Sequence, residues 1–413
     1  MVEAYDFTSS YGYCLLAFKY PMEKFTKIKS NLKISDILNT MDDYAYIFKL
    51  ECIGVELKDL HEPMPYFQFS KCRKINNEIL DNGRILQCEY AEIYITEQDL
   101  YILNKQYNFR LYKISDCYCA KKSYLPRWLT DYVYDLFRDK TNEKDGDPIL
   151  YAILKSKLNS IYGMLVMKWI KEVISEDYKT GEYTKNIDAD KIELFNKFVD
   201  TKNNIFPYQW GVYCTAYAVK NLFELGSFCE VWLYSDTDSC YGIGWDENEI
   251  KKYNEKCINN LKNRGYLPIK KDGNIYALGV AELDGVYSEF KTLGAKRYVC
   301  RYAEDARNKK KNWNKLKITV AGVPKKGVAS LNNDINNFKK GTVFSGKISG
   351  KLQHTYLYVD NIYIDKDGNE VGDSIDLTEC DYLLDTIEKN LLASFDSDLE
   401  FINNNMIGVY EDE

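Results

Sequence analysis

Histidine is almost absent from this chain of 413 residues, which contains only His61 and His354. Its twelve cysteines lack the paired spacing of a zinc site or a disulfide framework, so buried free thiols are the better interpretation even of Cys117 and Cys119. No apolar run of about 18 residues could cross a membrane, and the first residues do not resemble a signal peptide. These absences argue against a zinc site, a disulfide-stapled secreted protein and a membrane protein. They predict a soluble, cytoplasmic protein.

A general excess of positive charge is also lacking, because the formal net charge is −7. A surface that is basic throughout, as many nucleic-acid-binding proteins have, is therefore excluded. The charge is uneven, however. Basic residues far outnumber acidic ones in the segment 301–326, whereas the last three residues are all acidic. Any nucleic acid would therefore have to bind a local basic segment.

Two carboxylates, Asp236 and Asp238, lie between two apolar, aromatic segments, 228–234 and 240–245. Both segments predict strands, so the Ser-Asp-Thr-Asp between them predicts the tight turn of a hairpin. Carboxylates at a turn tip suit hard cations such as Mg²⁺ or Mn²⁺. A lone Asp-x-Asp is more often an ordinary polar turn, but the string Tyr-Ser-Asp-Thr-Asp-Ser is much rarer.

A third acid, Asp6, follows Val2 and Ala4 in an alternating segment that predicts a strand. A turn is predicted at residues 8–10, before an apolar run. Asp6 is therefore expected at a strand end, where it could meet the acidic hairpin from the side. Capping of a following helix by Asp6 or Thr8 is a compatible alternative.

The clearest predicted helix covers residues 147–163. It has an N-cap residue, a proline in its first turn and a glycine at its end, namely Asp147, Pro148 and Gly163. Spacings of i, i+4 and i+7 place three side chains on one face, those of Lys155, Asn159 and Tyr162. A solvated stripe is the alternative, although tyrosine and asparagine are unusual choices for it.

Several other elements are predicted from local signals. Alternating apolar residues predict strands at 44–50 and 85–95, and Thr96 with Asp99 predicts a helix start. A second helix is predicted at 207–226. Residues 289–300 predict a strand on which Lys296 and Tyr298 share a face, although a surface strand with one packed tyrosine would give the same pattern.

Taken together and in this order, these segments resemble the motifs of family B DNA polymerases. The string around Asp236 and Asp238 resembles motif C, and residues 155–163 match motif B, Lys-x-x-x-Asn-Ser-x-Tyr-Gly, completely. The stretch after Asp6 is similar to motif A, Asp-x-x-Ser-Leu-Tyr-Pro. There Asp6, Ser9 and Tyr11 match, whereas Ser10 and Gly12 replace the usual leucine and proline. Lys296 and Tyr298 match the Lys-x-Tyr motif.

The resemblance implies a two-metal site. Asp6 and Asp238 would hold two Mg²⁺ ions, or Mn²⁺, with the Phe7 carbonyl as a further ligand, and Asp236 would add a second negative charge. Residues implied to bind the incoming dNTP are Ser9, Ser10, Tyr11, Lys140, Lys155, Asn159 and Tyr162, with Tyr11 in the position of the steric gate against ribonucleotides. Residues implied to contact the primer or DNA are Thr237, Lys296, Tyr298 and Gly163.

The implied fold is an α+β right-hand polymerase fold, with an antiparallel palm sheet and helices, helical fingers and a β-rich thumb. The intervals from Asp6 to Lys155 and from Gly163 to Asp236 are long, which suits the protein-primed branch of phages and linear plasmids. Two insertions are placed at about 25–110 and 166–204, where they would encircle DNA or dock a priming protein. The predicted segments are palm 1–24, first insertion and palm connection 25–130, fingers 131–165, hairpin insertion 166–204, palm 205–330, and thumb with acidic tail 331–413.

The implied activity is DNA-directed addition of dNTPs to a primer 3′-hydroxyl during viral genome replication in the host cytoplasm, with a terminal protein as a possible partner. A reverse transcriptase or RNA polymerase-like palm is one alternative, although its hairpin usually carries adjacent Asp-Asp. An inactive palm serving as a DNA-binding assembly subunit is another, although decay usually removes the acids first.

Only five residues precede Asp6, so the 3′–5′ exonuclease domain usual in this family is expected to be absent from this chain. A separate exonuclease chain is the favoured expectation. An unpaired sheet edge or apolar patch is then expected near Val2–Tyr5. At the other end, residues 340–380 predict β structure, and a helix is predicted near 381–392.

Overall fold

The computed structural model describes residues 1–28, 32–59, 62–81, 83–167, 173–176, 183–186, 207–308, 312–356, 363–364, 370–371 and 375–385. Most of the predicted hairpin insertion, Lys309–Lys311 of the basic segment and the tail beyond 385 lie outside these described residues. Within them, no helix combines the length and the apolar character that crossing a bilayer requires.

The described elements are a mixture of helices and antiparallel strand pairs. The helices are α1 (Ser10–Ala17), α2 (Ile34–Thr40), α3 (Glu97–Gln106), α4 (Arg127–Asn142), α5 (Pro148–Leu165), α6 (Tyr208–Gly226), α7 (Glu247–Asn263) and α8 (Gly346–Ser349). The strands of the first half are β1 (Val2–Phe7), β2 (Lys19–Pro21), β3 (Thr26–Lys27), β4 (Tyr44–Leu57), β5 (Cys72–Asn76), β6 (Ile79–Asp81), β7 (Arg84–Thr96), β8 (Tyr107–Tyr124), β9 (Val173–Glu176) and β10 (Tyr183–Asn186). Those of the second half are β11 (Cys229–Asp236), β12 (Ser239–Trp245), β13 (Ile269–Lys271), β14 (Asn274–Tyr276), β15 (Ala281–Thr292), β16 (Arg297–Tyr302), β17 (Leu316–Val320), β18 (Val343–Phe344), β19 (Leu352–Tyr356), β20 (Tyr363–Ile364), β21 (Glu370–Val371), β22 (Ile375–Glu379) and β23 (Tyr382–Leu383).

The chain divides into two compact units. The first comprises Met1–Asp6, Gly226–Asp246 and the described part of Glu282–Asn390, and the second comprises the described parts of Phe7–Leu225 and Glu247–Ala281.

A six-stranded sheet with the order β11-β12-β1-β15-β16-β17 forms the centre of the first unit. Alternation along β16 directs Tyr298 and Cys300 to a tyrosine-rich cluster, whereas Val299 belongs to a second apolar cluster with Ile318 and Phe344. The sheet is therefore buried on both faces around β16.

A larger sheet dominates the second unit, with β2-β8-β4-β7-β5 as its main order, β3 paired with β8 and β6 with β7. Its core contains fully buried side chains such as Phe48, Leu50 and Ile93, packed with Leu100 and Leu103 of α3. Helix α4 packs against α1 and α5 in the same unit.

Several predictions made from local sequence signals are confirmed. Asp147 caps α5 by accepting hydrogen bonds from the N–H groups of Ile149 and Leu150 at 2.8 and 3.4 Å, and Pro148 is the first helical residue. Thr96 and Asp99 form the predicted capping box of α3. The predicted end of α5 was wrong, because the helix continues through Gly163 to Leu165. The start of the helix predicted at 381–392 was also wrong, because β23 occupies Tyr382–Leu383 and pairs with β18.

The expected exposed edge near Val2–Tyr5 is not found. Strand β1 lies inside the sheet between β12 and β15, and Val2, Ala4 and Tyr5 are at most 7% exposed. Among the described strands, β11 ends the sheet on that side, with Val231 and Leu233 exposed. Alternation in a sequence identifies a strand but not its neighbours, and β15 comes from a distant part of the chain.

Candidate active site

The three predicted catalytic acids lie at one end of three neighbouring strands in the first unit. Strands β11 and β12 form the predicted hairpin, and β12 pairs with β1. Ser239 is opposite both Asp236 on β11 and Asp6 on β1. Two strand spacings therefore separate the backbones of Asp6 and Asp236, or about 10 Å. Asp238 lies in the turn, where its N–H donates to the Asp236 carbonyl at 2.7 Å.

The carboxylate of Asp236 forms an ion pair with Lys296. The Lys296 ammonium lies 3.0 Å from its Oδ1, and the Thr237 hydroxyl donates to the same oxygen at 3.0 Å. Tyr234 supports the lysine by accepting its backbone N–H at 2.9 Å. Burial raises the pKa of Tyr234 to about 12, so its hydroxyl stays neutral at physiological pH. The pair places a cation beside the acidic hairpin before any ligand binds.

Three candidate site residues have left-handed backbone conformations. Apart from glycines, the described residues with positive φ are asparagines and aspartates, plus Ser9 (φ 53°), Thr237 (φ 59°) and Lys296 (φ 52°). Asparagine and aspartate tolerate this region, whereas a β-branched threonine rarely enters it. Each such residue costs about 1–3 kcal/mol, and such strain concentrates at functional sites. All three exceptions were identified as site residues from the sequence alone.

The Lys296–Tyr298 pair differs from its expected geometry. Lys296 lies in the turn before β16 rather than on the strand, since its left-handed backbone cannot continue a strand. Tyr298 is 5% exposed within the tyrosine-rich cluster, and its hydroxyl lies 2.9 Å from that of Tyr241. Of the two, Lys296 is the accessible residue, with 55% of its side chain exposed.

The remaining motif A residues belong to the second unit. Phe7 ends β1, and the backbone of Thr8 is held between Val280 and Gly279 by hydrogen bonds of 2.9 and 2.7 Å. Ser9 then turns the chain into α1, and its hydroxyl accepts a bond from the Lys140 ammonium at 3.0 Å. Ser10, the first helical residue, is buried.

Gly12, which stands where proline is usual in motif A, is closely packed. A Cβ at this position would lie 2.8 Å from Leu278 Cδ2, so a larger residue would require the Leu278 side chain to shift.

The predicted face of α5 carries the motif B residues. Lys155 and Asn159 are exposed, and Tyr162 is partly buried. The Tyr162 ring stacks on the Tyr11 ring with a centroid distance of 3.8 Å and an interplanar angle of 6°. Nothing lies within 4 Å of a Cβ built at Gly163, so this part of the helix surface is open. The second unit thus brings Ser9 together with Lys140, and Tyr11 with Tyr162.

The acids fit divalent metal ions by donor type. Carboxylate oxygens suit Mg²⁺, which usually binds one or two protein carboxylates and completes its shell with water and substrate phosphates. Among the described residues, no group of three or more acidic, histidine or cysteine side chains is close enough to form a complete metal cage.

Sequence reasoning missed two supporting residues. Tyr234 belongs to the motif C string, but its contact with the Lys296 backbone joins residues 62 positions apart and leaves no local signal. Thr215 on α6 lies 2.8 Å from the Tyr162 hydroxyl, and no motif had drawn attention to it.

No protein-family model matches this sequence, and no curated protein matches it either. Solved structures do match. Phi29 DNA polymerase in an orthorhombic crystal form has a TM-score of 0.59 and 17% identity over 92% of this chain and 58% of that one. Its complex with primer-template DNA and incoming nucleotide substrates has a TM-score of 0.60 and 17% identity over 94% of this chain and 58% of that one.

A third match, Phi29 DNA polymerase with single-stranded DNA, has a TM-score of 0.54 and 15% identity over 92% of this chain and 57% of that one. This chain therefore spans less than two thirds of the length of these structures. At such low identity, the likeness concerns the fold. This mixed chain of helices and antiparallel sheets has a fold similar to that of Phi29 DNA polymerase.

Proposed function

We propose that this chain is a DNA-dependent DNA polymerase that adds dNTPs to a primer 3′-hydroxyl. The observation that carries the proposal is the strand register that brings Asp6 and the Asp236–Asp238 hairpin to the same end of neighbouring strands. The similarity in fold to Phi29 DNA polymerase, whose structures include primer-template DNA and nucleotides, supports it. Motif order in the sequence adds independent support.

Asp6 and Asp238, with the Phe7 carbonyl, are proposed to hold two Mg²⁺ ions, for which Mn²⁺ could substitute. Bound there, the ions would lower the pKa of the primer 3′-hydroxyl and neutralise the triphosphate. Asp236 holds the Lys296 ammonium at 3.0 Å, which leaves its charge partly compensated. We therefore propose two roles for Asp236: it positions Lys296, and it adds negative charge beside the metal ions.

The nucleotide is proposed to bind along the motif A and motif B residues of the second unit. Lys155 and Lys140 would neutralise triphosphate charge, and Ser9 orients Lys140 through their 3.0 Å hydrogen bond. Helix α1 begins at Ser10, and the N–H groups at a helix start favour phosphate. Asn159 and Tyr162 would line the nascent base pair, with Tyr11 as the gate against ribose.

Lys296 is proposed to contact the primer terminus, because it is the exposed member of its motif. Tyr298 is buried and would contribute indirectly. Its hydroxyl pairs with that of Tyr241, and this contact would support the sheet next to the turn that carries Lys296. Thr237 and Gly163 would lie along the DNA, and the basic segment 301–326 would bind backbone phosphates.

We further propose the palm, fingers and thumb layout, with the insertions and segment boundaries given above, and the protein-primed mode of replication. On this proposal the partners are primer-template DNA, dNTPs and a terminal protein. The setting is viral genome replication in the host cytoplasm. Support comes from the match to Phi29 DNA polymerase and from the long intervals between motifs.

Two other functions were open from the sequence. An inactive palm that assembles on DNA would not need Asp6 and the Asp236–Asp238 hairpin at the same end of neighbouring strands. A reverse transcriptase or RNA polymerase-like palm differs in its template and in its nucleotide, so substrate choice separates it from the proposed function.

The decisive experiment is primer extension on defined DNA and RNA templates with Mg²⁺, supplied with either dNTPs or NTPs. We expect template-directed extension with dNTPs on DNA and little with NTPs, because the Tyr11 ring would clash with a ribose 2′-hydroxyl. Extension on RNA at the same rate would favour the reverse transcriptase. No extension under any condition, with DNA binding retained, would favour the assembly subunit.

We also expect residues 1–413 by themselves to leave a mismatched primer end intact. The acids that the sequence offers at motif positions are assigned to polymerisation, and no second acidic set was found that would rebuild a nuclease. The measurement is incubation of the purified chain with Mg²⁺ and a 3′-mismatched primer without dNTPs. Shortening of the primer would refute the expectation. Asp238→Asn is the control: shortening that persists when this variant has lost extension does not come from the polymerase site.

A further inference from the structure

A short relay of hydroxyl groups joins α5 to α6 in the second unit. The Tyr162 hydroxyl lies 2.8 Å from Thr215 Oγ1, and Thr215 Oγ1 donates to the Gly211 carbonyl at 3.0 Å. A threonine hydroxyl has one hydrogen, and the bond to Gly211 uses it. With that hydrogen on the Gly211 carbonyl, Thr215 Oγ1 accepts from the Tyr162 hydroxyl, and the relay runs from tyrosine to threonine to backbone.

The ring at the start of this relay is in an unusual stack. Tyr162 and Tyr11 lie nearly parallel at 3.8 Å between centroids. Aromatic pairs prefer offset or edge-on arrangements with centroids about 4.5–7 Å apart, because face-to-face quadrupoles repel. A stack this close requires that the surroundings hold both rings. The Thr215 hydroxyl holds Tyr162 by its outer end.

The same stretch of α6 also holds the other partner of the stack. The thiol of Cys214, which precedes Thr215, lies 3.8 Å from the Tyr11 carbonyl and donates to it. Two consecutive side chains of α6 therefore contact the two tyrosines. Thr215 contacts the side chain of Tyr162, and Cys214 contacts the backbone of Tyr11. Helix α6 therefore contacts Tyr162 at its hydroxyl and Tyr11 at its backbone carbonyl.

Gly211 allows α6 to come so close to the end of α5. A Cβ at this position would lie 2.8 Å from the Leu165 carbonyl oxygen and 2.6 Å from Val166 Cγ1. Only glycine avoids this overlap. Gly211, whose carbonyl accepts the hydrogen bond of Thr215, is therefore also the residue that permits the close approach of α6 to the end of α5.

We propose that Thr215 is a positioning residue that sets sugar selectivity at the nucleotide site, by holding Tyr162 against Tyr11. This inference rests on the proposed function, in which Tyr11 excludes ribose. Thr215 acts only through the two rings. Loss of its hydroxyl lets Tyr162 turn about its side-chain bonds, which removes the support for the Tyr11 ring and widens the space beside C2′ of the incoming sugar.

The test compares Thr215→Val, which keeps the shape and loses the hydroxyl, with Thr215→Ser, which keeps the hydroxyl. The readout is the ratio of kcat/KM for a dNTP to that for the matching NTP. We expect Thr215→Val to lower this ratio about 5- to 10-fold, the size of one neutral hydrogen bond, and to raise the KM for dNTPs more than it lowers kcat. Thr215→Ser is expected to keep the ratio of the unaltered chain.

Thr130 on α4 supplies a matched control. Its Oγ1 lies 2.6 Å from the Tyr266 hydroxyl, which also donates to the Asp131 carboxylate at 2.7 Å, so it forms a threonine–tyrosine hydroxyl contact of similar length away from the motif residues. Thr130→Val should lower thermal stability as Thr215→Val does, but it should leave the dNTP to NTP ratio unchanged. A fall in the ratio with both variants would mean that general loosening, and not the Tyr162 contact, is responsible.

Tyr162→Phe and the double variant complete the design. If the hydroxyl pair acts as a unit, Tyr162→Phe with Thr215→Val should lower the ratio no further than either change alone. Tyr11→Val tests the proposed gate at Tyr11 separately from the role of Thr215. If Tyr11→Val leaves discrimination unchanged, the proposed gate is wrong; if it relaxes discrimination while Thr215→Val does not, only the role of Thr215 is refuted.

Discussion

Asp238→Asn is expected to reduce primer extension by about 10³-fold or more, which corresponds to at least about 4 kcal/mol of activation free energy. The amide keeps the size of the side chain but lacks the charge needed to hold a metal ion. The N–H of residue 238 still donates to the Asp236 carbonyl, so the turn is expected to fold normally. Asp6→Asn should have an effect of the same size. Single-turnover extension at saturating dNTP is the measurement.

Glu230→Gln is the matched control, because Glu230 is an exposed acid on β11 in the same hairpin. It should extend primers at the rate of the unaltered chain. If Asp238→Asn also retained near-normal extension while its thermal stability was unchanged, the assignment of the metal ions to Asp6 and Asp238 would be wrong. A loss that more Mg²⁺ or Mn²⁺ partly restores would support it.

The largest expected effect on stability is at Lys122, which forms a buried ion pair with Glu97. The two charged groups are 2.6 Å apart, and their side chains are at most 1% exposed. Glu97 also accepts hydrogen bonds from the Tyr213 hydroxyl at 2.7 Å and the Tyr46 N–H at 2.8 Å. Lys122 donates in addition to the Met41 carbonyl at 2.7 Å. The network joins β4, β8 and α3 to α6 within the second unit.

Lys122→Met should lower the free energy of unfolding of this unit by about 3–5 kcal/mol, because it leaves the Glu97 carboxylate buried without its cation. Denaturant unfolding, followed by the fluorescence of buried Trp210 in the same unit, is the measurement. Adding Glu97→Gln should restore much of the loss, since the neutral amide can still accept from the Tyr46 N–H. Lys252→Met breaks the exposed pair with Glu249 and should cost about 1 kcal/mol or less. Equal costs for Lys122→Met and Lys252→Met would show that the buried pair has no special role.

Much of the local structure could be predicted from the sequence because its signals are local. Asp147 and Pro148 start α5 through a local side-chain cap and a fixed backbone angle, and apolar, aromatic composition identifies the two strands of the acidic hairpin. The face shared by Lys155 and Tyr162 likewise follows from the period of a helix. None of these features needs information from a distant part of the chain.

The errors arise where tertiary contacts override a local pattern. Lys-x-Tyr alternates like a strand, yet Lys296 turns left-handed, because Tyr234 accepts its N–H and Asp236 binds its ammonium. The burial of β1 depends on β15, and its sequence alone does not encode this neighbour. Thr215 was missed for the same reason, since its partner Tyr162 lies 53 positions away.

The strained backbone at Ser9, Thr237 and Lys296 has a consequence for laboratory evolution. A library screened for heat resistance alone would favour glycine or asparagine at these positions, because each replacement relieves about 1–3 kcal/mol of backbone strain. The same replacements remove the hydroxyls and the ammonium that contact Lys140 and Asp236. Selection for thermal stability alone, without selection for primer extension, would therefore remove the contacts of the candidate site early, while the stability of the fold increased.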